Sequence, residues 1–146
     1  MAQPLTDELL KQITEELNPF QKMLGMRIVE LEKGRAVMVI PYQSFLLGDI
    51  WRPALHGGVL SALLDSATGV AALSTVESAE ERLSTLDLHI DYLAPGRAED
   101  LYCTAEVIRR GKSSILVHGR VHHAAANSDV ALGRAVFHLK RPQTTG

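Results

Sequence analysis

The hydrophobic positions change their period along the chain. From residue 5 to residue 17, apolar residues recur every three or four positions, which predicts a helix that stops at Asn18-Pro19. Segments 26–31 and 36–42 are strand-like and flank a short turn around Gly34, the pattern of a hairpin. A loop over 43–55 follows. The most apolar part of the chain then predicts a long helix over 57–76.

The second half of the chain alternates between apolar and polar residues. This alternation predicts four strands, over 83–93, 101–108, 114–123 and 130–139, joined by turns at 94–96, 109–113 and 124–129. In the first strand we expect two faces, Leu86, Leu88, Ile90 and Tyr92 on one and Thr85, Asp87, His89 and Asp91 on the other. Strands joined by turns this short pair in an antiparallel sheet.

The long helix is apolar on nearly all sides, so it must be covered on most of them. A helix followed by a run of strands indicates an α+β domain. A curved antiparallel sheet of five to six strands, wrapped around the long central helix, meets this requirement, and the chain adds an N-terminal helix. That arrangement is the hot-dog fold. We therefore predict one domain over 1–146, with the N-terminal helix in 1–18 and a flexible tail at 141–146.

Composition excludes several classes of function. The chain has 146 residues, 46% of them hydrophobic, and a formal net charge of -2, so it lacks the basic excess of a nucleic-acid-binding protein. Its single cysteine, Cys103, excludes an intramolecular disulfide and is expected to be a small buried hydrophobe. Neither a secretory signal nor an apolar run of the ~20 residues needed to span a membrane is present. A soluble cytoplasmic protein is expected.

Asp65 lies in the middle of the apolar helix. Its helical neighbours are small or weakly polar, namely Ser61, Ala62, Thr68, Gly69 and Ala72. A ligand or a neighbouring subunit could therefore approach it closely. Burying a carboxylate costs free energy unless the carboxylate has a hydrogen-bond or charge partner, so an unpartnered one is expected only where it serves a function. Two interpretations remain open: a catalytic carboxylate, or one that is satisfied by Ser61, Thr68 or solvent.

The start of this helix, His56-Gly57-Gly58, is a second candidate for chemistry. Amides in the first helical turn lack intrahelical partners and carry the positive end of the helix dipole. Two glycines leave these amides unshielded, which suits an oxyanion hole for a tetrahedral intermediate. The alternative is that the glycines only permit a tight turn into the helix.

Together these features resemble the PaaI-type acyl-CoA thioesterases of the hot-dog superfamily. The first matching block is His56-Gly57-Gly58 with Asp65 seven residues beyond Gly58. The second is segment 85–95, which ends in an aromatic residue, an apolar residue, alanine and proline, and the third is the basic hairpin at 107–112. The resemblance covers roughly 23–140.

The resemblance implies hydrolysis of an acyl-CoA thioester to free acid and coenzyme A. No metal or organic cofactor is implied, and coenzyme A takes part only as a portion of the substrate. Asp65 would be general base or nucleophile, and the Gly57 amide, with help from Gly58, would hold the oxyanion. His56 would orient the thioester, and Thr85 from a partner subunit would position water. The implied substrate contacts are Gly58, Tyr92, Arg109, Gly111 and Lys112.

The resemblance also implies an assembly. We expect a homodimer with a continuous sheet and an active site between the subunits, and two such dimers in a tetramer. The only ligand expected is the acyl-CoA substrate, with no nucleic-acid or membrane partner. His122 and His123 are adjacent on a strand and so point to opposite faces, which argues against a shared metal; they are expected to be polar surface residues.

One position departs from the family pattern. Related enzymes often carry Asn or Gln shortly before the glycine pair, whereas the matching residue here is Ile50. Asp49 or Arg52 could act there instead. The departure keeps a non-catalytic acyl-CoA-binding protein open as an alternative. A hot-dog hydratase or dehydratase fits the spacing of His56 and Asp65 less well.

Overall fold

The computed structural model describes residues 5–124 and 128–143. The helices are α1 (Asp7–Gln12), α2 (Pro19–Met23) and α3 (Gly57–Leu73). The main strands are β1 (Arg27–Glu32), β2 (Arg35–Ile40), β5 (Arg82–Tyr92), β6 (Leu101–Arg110), β7 (Ser114–His122) and β8 (Ala131–Lys140). These six strands form one antiparallel sheet in the order β1-β2-β6-β7-β8-β5, which wraps around the long helix α3, as the hot-dog prediction requires.

Parts of three predicted segments lie outside the described residues: 1–4 of the N-terminal segment 1–18, 125–127 of the turn at 124–129, and 144–146 of the tail. Within the described ranges, no helix has the length and apolar character needed to cross a membrane.

The N-terminal helical segment ends at Leu17, as predicted, but a second short helix follows it directly. Thr6 caps α1 by accepting a hydrogen bond from the Leu9 amide at 3.1 Å, and a π-helical turn, Ile13–Leu17, ends the element. Asn18-Pro19 ends the first helix and also begins α2. The Asn18 side chain caps α2, and Pro19 lies in its first turn, where the backbone N–H that proline lacks would have no partner within the helix. The same two residues therefore end one helix and begin another.

A second small sheet lies within the loop predicted over 43–55. After a 3-10 turn at Ser44–Leu46, β3 (Leu47–Asp49) pairs with β4 (Ala54–Leu55) in a two-stranded ribbon. Strands of two or three residues carry too little alternation to be recognised from sequence.

Leu64 packs directly against the backbone of the sheet. Its side chain is fully buried against Gly119 in β7 and Gly133 in β8, which face each other across the two strands. A Cβ on either glycine would overlap Leu64, and one on Gly133 would also lie 2.7 Å from the His89 carbonyl oxygen. The sheet can follow the helix this closely only because both positions lack a side chain.

Strand β5 does not alternate as predicted. A β-bulge between Thr85 and Asp87 adds one residue and resets the pattern. Leu86, expected to share a face with Leu88, is 64% exposed, whereas Leu88 and Ile90 pack against the core. Thr85 contacts the central helix, so its assignment to the opposite face was wrong.

The two edges of the main sheet differ. At β1, the Glu15 carboxylate accepts a hydrogen bond from the Ile28 amide at 2.9 Å, so the N-terminal segment partly covers that edge. At the other edge, the 11-residue β5 pairs with β8 on one side and has no strand on its other side among the described residues. A long unpaired edge invites another strand.

We predict that Gly133→Ala destabilises the fold because its Cβ cannot fit beside Leu64 and the His89 carbonyl. Overpacking of this kind costs about 1–3 kcal/mol, measurable as a lower free energy of unfolding in denaturant. Gly69→Ala is the matched control. Its Cβ would meet only Phe137 at 3.8 Å, so this change in a helix interior should be neutral or stabilising. Equal effects of the two substitutions would contradict the packing argument.

Candidate active site

His56 caps the N-terminus of α3. Its Nδ1 accepts a hydrogen bond from the Gly58 amide at 2.8 Å, so the proton of the neutral ring is assigned to Nε2. The Gly58 amide is therefore already used in this structure, and its share in an oxyanion hole stays a prediction. The Gly57 amide has no acceptor within 5–124 and 128–143, and it lies at an exposed helix end. One amide donor, from Gly57, is thus available.

Gly48 holds His56 in place, a role that no sequence motif indicated. A Cβ on Gly48 would lie 2.7 Å from the His56 Cα, so strand β3 runs directly against this residue. The His56 amide also donates to the Leu46 carbonyl at 2.9 Å. The β3–β4 ribbon therefore fixes the residue that begins α3.

Tyr92 lies beside the same helix end. Its hydroxyl is 3.4 Å from the Gly57 carbonyl oxygen, and its ring is in van der Waals reach of Gly57. The two residues line an open pocket of ≈ 360 Å³ together with Ala54, Leu55, Leu60, Leu93, Ala94, Pro95 and Gly96. A ligand that reaches the Gly57 amide would therefore also contact Tyr92 and the segment 93–96.

The loop that follows Tyr92 is pinned by His123. This residue is only 3% exposed, so the expectation of a surface side chain was wrong. Its Nε2 accepts from the Arg97 amide at 3.0 Å, and its Nδ1 donates to the Asp100 carbonyl at 2.9 Å. Both ring nitrogens are used when the ring is neutral, so His123 orders this loop and is not free for chemistry.

Asp65 is half-buried and receives one side-chain hydrogen bond. The Thr85 hydroxyl donates to its Oδ1 at 3.0 Å. Neither polar neighbour on the helix does so: the Ser61 hydroxyl donates to backbone carbonyls one turn earlier, and so does that of Thr68. Thr85 belongs to the same chain as Asp65. The β5 bulge brings Thr85 to this carboxylate within one chain, and a contribution of Thr85 across a dimer interface stays a prediction.

A cavity of ≈ 180 Å³ lies next to Asp65 and Thr85. Three parts of the chain line it: Ile13, Thr14, Asn18 and Gln21 from the N-terminal segment; Asp65, Ser66, Gly69, Val70 and Leu73 from α3; Leu83, Thr85 and Phe137 from the sheet. Its walls are mostly apolar, with polar groups near the carboxylate. An engineered cavity of about 150 Å³ holds benzene, so this one has room for a small acyl group.

Gly57 and Asp65 do not meet within one chain. They are eight residues apart on α3, and at a rise of 1.5 Å per residue this places them about 12 Å apart along the helix axis. One thioester carbonyl would need to lie about 3 Å from both the amide donor and the attacking group. The two halves of the candidate site are therefore present in one chain but do not converge there.

The position that departs from the family pattern lies at the tip of the β3–β4 ribbon. Ile50 is 82% exposed and Trp51 is 88% exposed. Asp49 does not replace the missing amide, because its carboxylate accepts from the amides of Arg52 and Trp51 and closes the turn. These bonds hold the pKa of Asp49 below its ordinary value.

The basic hairpin forms a separate pocket of ≈ 540 Å³ near the C-terminal end of α3. Arg110, Gly111 and Lys112 line it together with Lys33, Gly34, Thr75, Glu77, Val107 and Arg141. Arg109 does not line this pocket, because a bulge between Val107 and Arg109 shifts the register of the strand and leaves Arg109 exposed. Arg110 lines the pocket instead. Its Nε is buried and has no partner among the described residues.

Two other kinds of chemistry find no support in the described part of the chain. Cys103 is fully buried, and desolvation raises the pKa of its thiol to about 12, so it is not a nucleophile near neutral pH. Within 5–124 and 128–143, no group of three or more His, Cys, Asp or Glu side chains is arranged to hold a metal ion.

A helix-wrapped sheet with an exposed amide at the helix start and a carboxylate two turns later defines a thioesterase-type hot-dog domain. Residues 53–128 match the family described as Thioesterase superfamily, and the chain belongs to that family.

Curated relatives and solved structures agree with this assignment. A protein of Escherichia coli strain K12 named medium/long-chain acyl-CoA thioesterase YigI is 30% identical over 72% of this chain and 76% of its own. Human acyl-coenzyme A thioesterase 13 is 28% identical over 90% and 92%. A thioesterase family protein from Silicibacter pomeroyi has a TM-score of 0.82 at 26% identity, over 92% of this chain and 98% of its own.

Proposed function

We propose that this protein hydrolyses acyl-CoA thioesters at a site shared by two copies of the chain. The Gly57 amide of one copy would face Asp65 and Thr85 of the other. The observation that carries the proposal is the separation of about 12 Å between Gly57 and Asp65 on one helix, which a second copy can remove. The substrate class is supported by relatives that are named acyl-CoA thioesterases.

Two surfaces favour this assembly. The free edge of β5 can pair with the same edge of a second copy and continue the sheet. Beside it, α3 presents an exposed or half-buried stripe of small residues: Gly57, Gly58, Ser61, Ala62, Asp65 and Gly69. Two such helices packed antiparallel about Ser61 would bring residue 57 of each beside residue 65 of the other. Small side chains let the helices approach closely enough.

The proposed reaction uses Asp65 as a general base. Its carboxylate takes a proton from water as the water oxygen bonds to the thioester carbon. The carbonyl electrons move onto oxygen, where the Gly57 amide of the other copy stabilises the negative charge. The intermediate then collapses, the carbon–sulfur bond breaks, and Asp65 returns the proton to the leaving sulfur. The Thr85 hydroxyl orients Asp65 throughout, and the His56 Nε2–H is available to the thioester.

The chain that carries Asp65 also has a pocket that suits the acyl group of the substrate and a pocket that suits the phosphates of coenzyme A. The apolar cavity beside this carboxylate suits the acyl group. The basic pocket lies past Leu73, where α3 ends about 12 Å along the axis from Asp65. Its cations suit the phosphates of coenzyme A, and the unpaired Nε of Arg110 is a donor without another use.

We predict that wild-type protein releases free thiol from members of an acyl-CoA panel and that Asp65→Asn lowers kcat by about 10²-fold or more. Asp87→Asn is the control, since it changes an exposed carboxylate on β5. Unchanged activity in Asp65→Asn would rule out its catalytic role. Binding of acyl-CoA without release by wild type would favour the non-catalytic alternative.

The shared site is tested with Gly57→Pro, which removes the amide donor. Proline suits the first position of a helix, and His56, at φ -60 and ψ 134, already has the backbone that precedes proline. Gly57→Pro should therefore fold and be inactive, whereas Gly57→Ala keeps the donor and should be active.

Mixing Gly57→Pro with Asp65→Asn chains then distinguishes the arrangements. In a shared site, half of the dimers are mixed and each has one intact site, so about a quarter of wild-type activity returns. A site within one chain would give none.

We predict that Arg110→Ala and Lys112→Ala each raise KM for acyl-CoA by about tenfold or more, since a charge-assisted hydrogen bond contributes about 1.5–3 kcal/mol when well formed. Neither substitution should alter KM for an acyl-pantetheine, which lacks the phosphates. Arg109→Ala is the matched control and should leave both values unchanged. An equal effect of Arg109→Ala would show that the hairpin acts only through its total charge.

A further inference from the structure

Gln21 lines the same cavity as Asp65 and Thr85. Its side chain is half-buried, and its carboxamide has no hydrogen-bond partner within 5–124 and 128–143. Polar groups withdrawn from solvent normally find partners in the protein or in bound water. An uncommitted carboxamide in the pocket that also holds the Asp65 carboxylate is therefore placed to bind a ligand or a water molecule.

The backbone around Gln21 holds this side chain in position. The Gln21 amide donates to the Asn18 cap at 3.1 Å, and its carbonyl accepts from the Met26 amide at 3.0 Å. The N-terminal segment is itself tied to β1 through Glu15 and the Ile28 amide. Both backbone groups of Gln21 are thus occupied, and only its side chain is left for the cavity.

The pocket has room for a water molecule as well as part of the substrate. Its volume is ≈ 180 Å³, and one water molecule in the liquid occupies about 30 Å³. A water molecule can therefore lie beside a short acyl group in the pocket that Gln21 shares with Asp65.

We propose that Gln21 is a further catalytic residue, whose Oε1 accepts the second hydrogen of the water that Asp65 activates. This inference rests on the proposed hydrolysis with Asp65 as general base. Gln21 lies on the same chain as Asp65 and Thr85, while the oxyanion donor comes from the other copy. It therefore serves the water and not the oxyanion.

The test compares Gln21→Leu, which keeps the size but removes the acceptor, with Gln21→Glu, which keeps an acceptor oxygen. Gln21→Leu should lower kcat by about tenfold or more and change KM by less than about twofold, since only the orientation of the water is lost. Gln21→Glu should recover part of that loss. Gln12→Leu, an exposed glutamine at the end of α1, is the matched control and should behave as wild type.

Thermal unfolding is measured for each variant, and Gln21→Ala is included in case the leucine variant does not fold. A wild-type kcat in folded Gln21→Leu or Gln21→Ala, with Asp65→Asn inactive, would overturn the role of Gln21 and leave the proposed function intact. A raised KM at unchanged kcat would also overturn it. Absence of thiol release by wild type with every acyl-CoA would overturn both.

Discussion

The contact between Leu64 and the paired glycines of β7 and β8 sets the distance between the central helix and the sheet. Gly119 and Gly133 face each other across the two strands, and neither has room for a Cβ beneath Leu64. Because the helix lies directly on the backbone here, the side that carries Leu64 is covered by the sheet. Asp65, one residue or about 100° further round the helix, is only half-buried. Gly57 is exposed because it is the first residue of the helix.

The same helix holds two chemical groups that one chain cannot use together. Its first turn offers an amide donor at Gly57, and Asp65 two turns later offers a carboxylate partnered by Thr85. A rigid helix separates them by about 12 Å. In the proposed two-fold assembly, each rigid helix would give its Gly57 amide to one site and its Asp65 carboxylate to the other, equivalent site. The unpaired edge of β5 provides a physical reason for such an assembly.

Two β-bulges account for two differences between the expected and the observed positions of candidate site residues. One resets β5, so Thr85 points toward the helix and meets Asp65 in its own chain. The other resets the end of β6, so Arg110 replaces Arg109 in the basic pocket. A bulge depends on pairing with a neighbouring strand, and alternation along one segment cannot reveal it. The buried His123 escaped prediction for a similar reason, because its partners come from a loop more than 20 residues away in sequence.

The sequence alone determined the order of the main helices and strands and the α+β hot-dog architecture, and it pointed to His56, Gly57 and Asp65 as candidate site residues. Each of these inferences depends on local periodicity or on the ends of a single helix. Only the tertiary structure decided that His56 occupies the Gly58 amide, that Thr85 partners Asp65 within one chain, and that Gln21 shares a cavity with both. Each of these depends on side chains meeting in three dimensions, and two join elements distant in sequence. Hydrogen bonds and cavities between distant elements follow from packing, which periodicity along one chain does not encode.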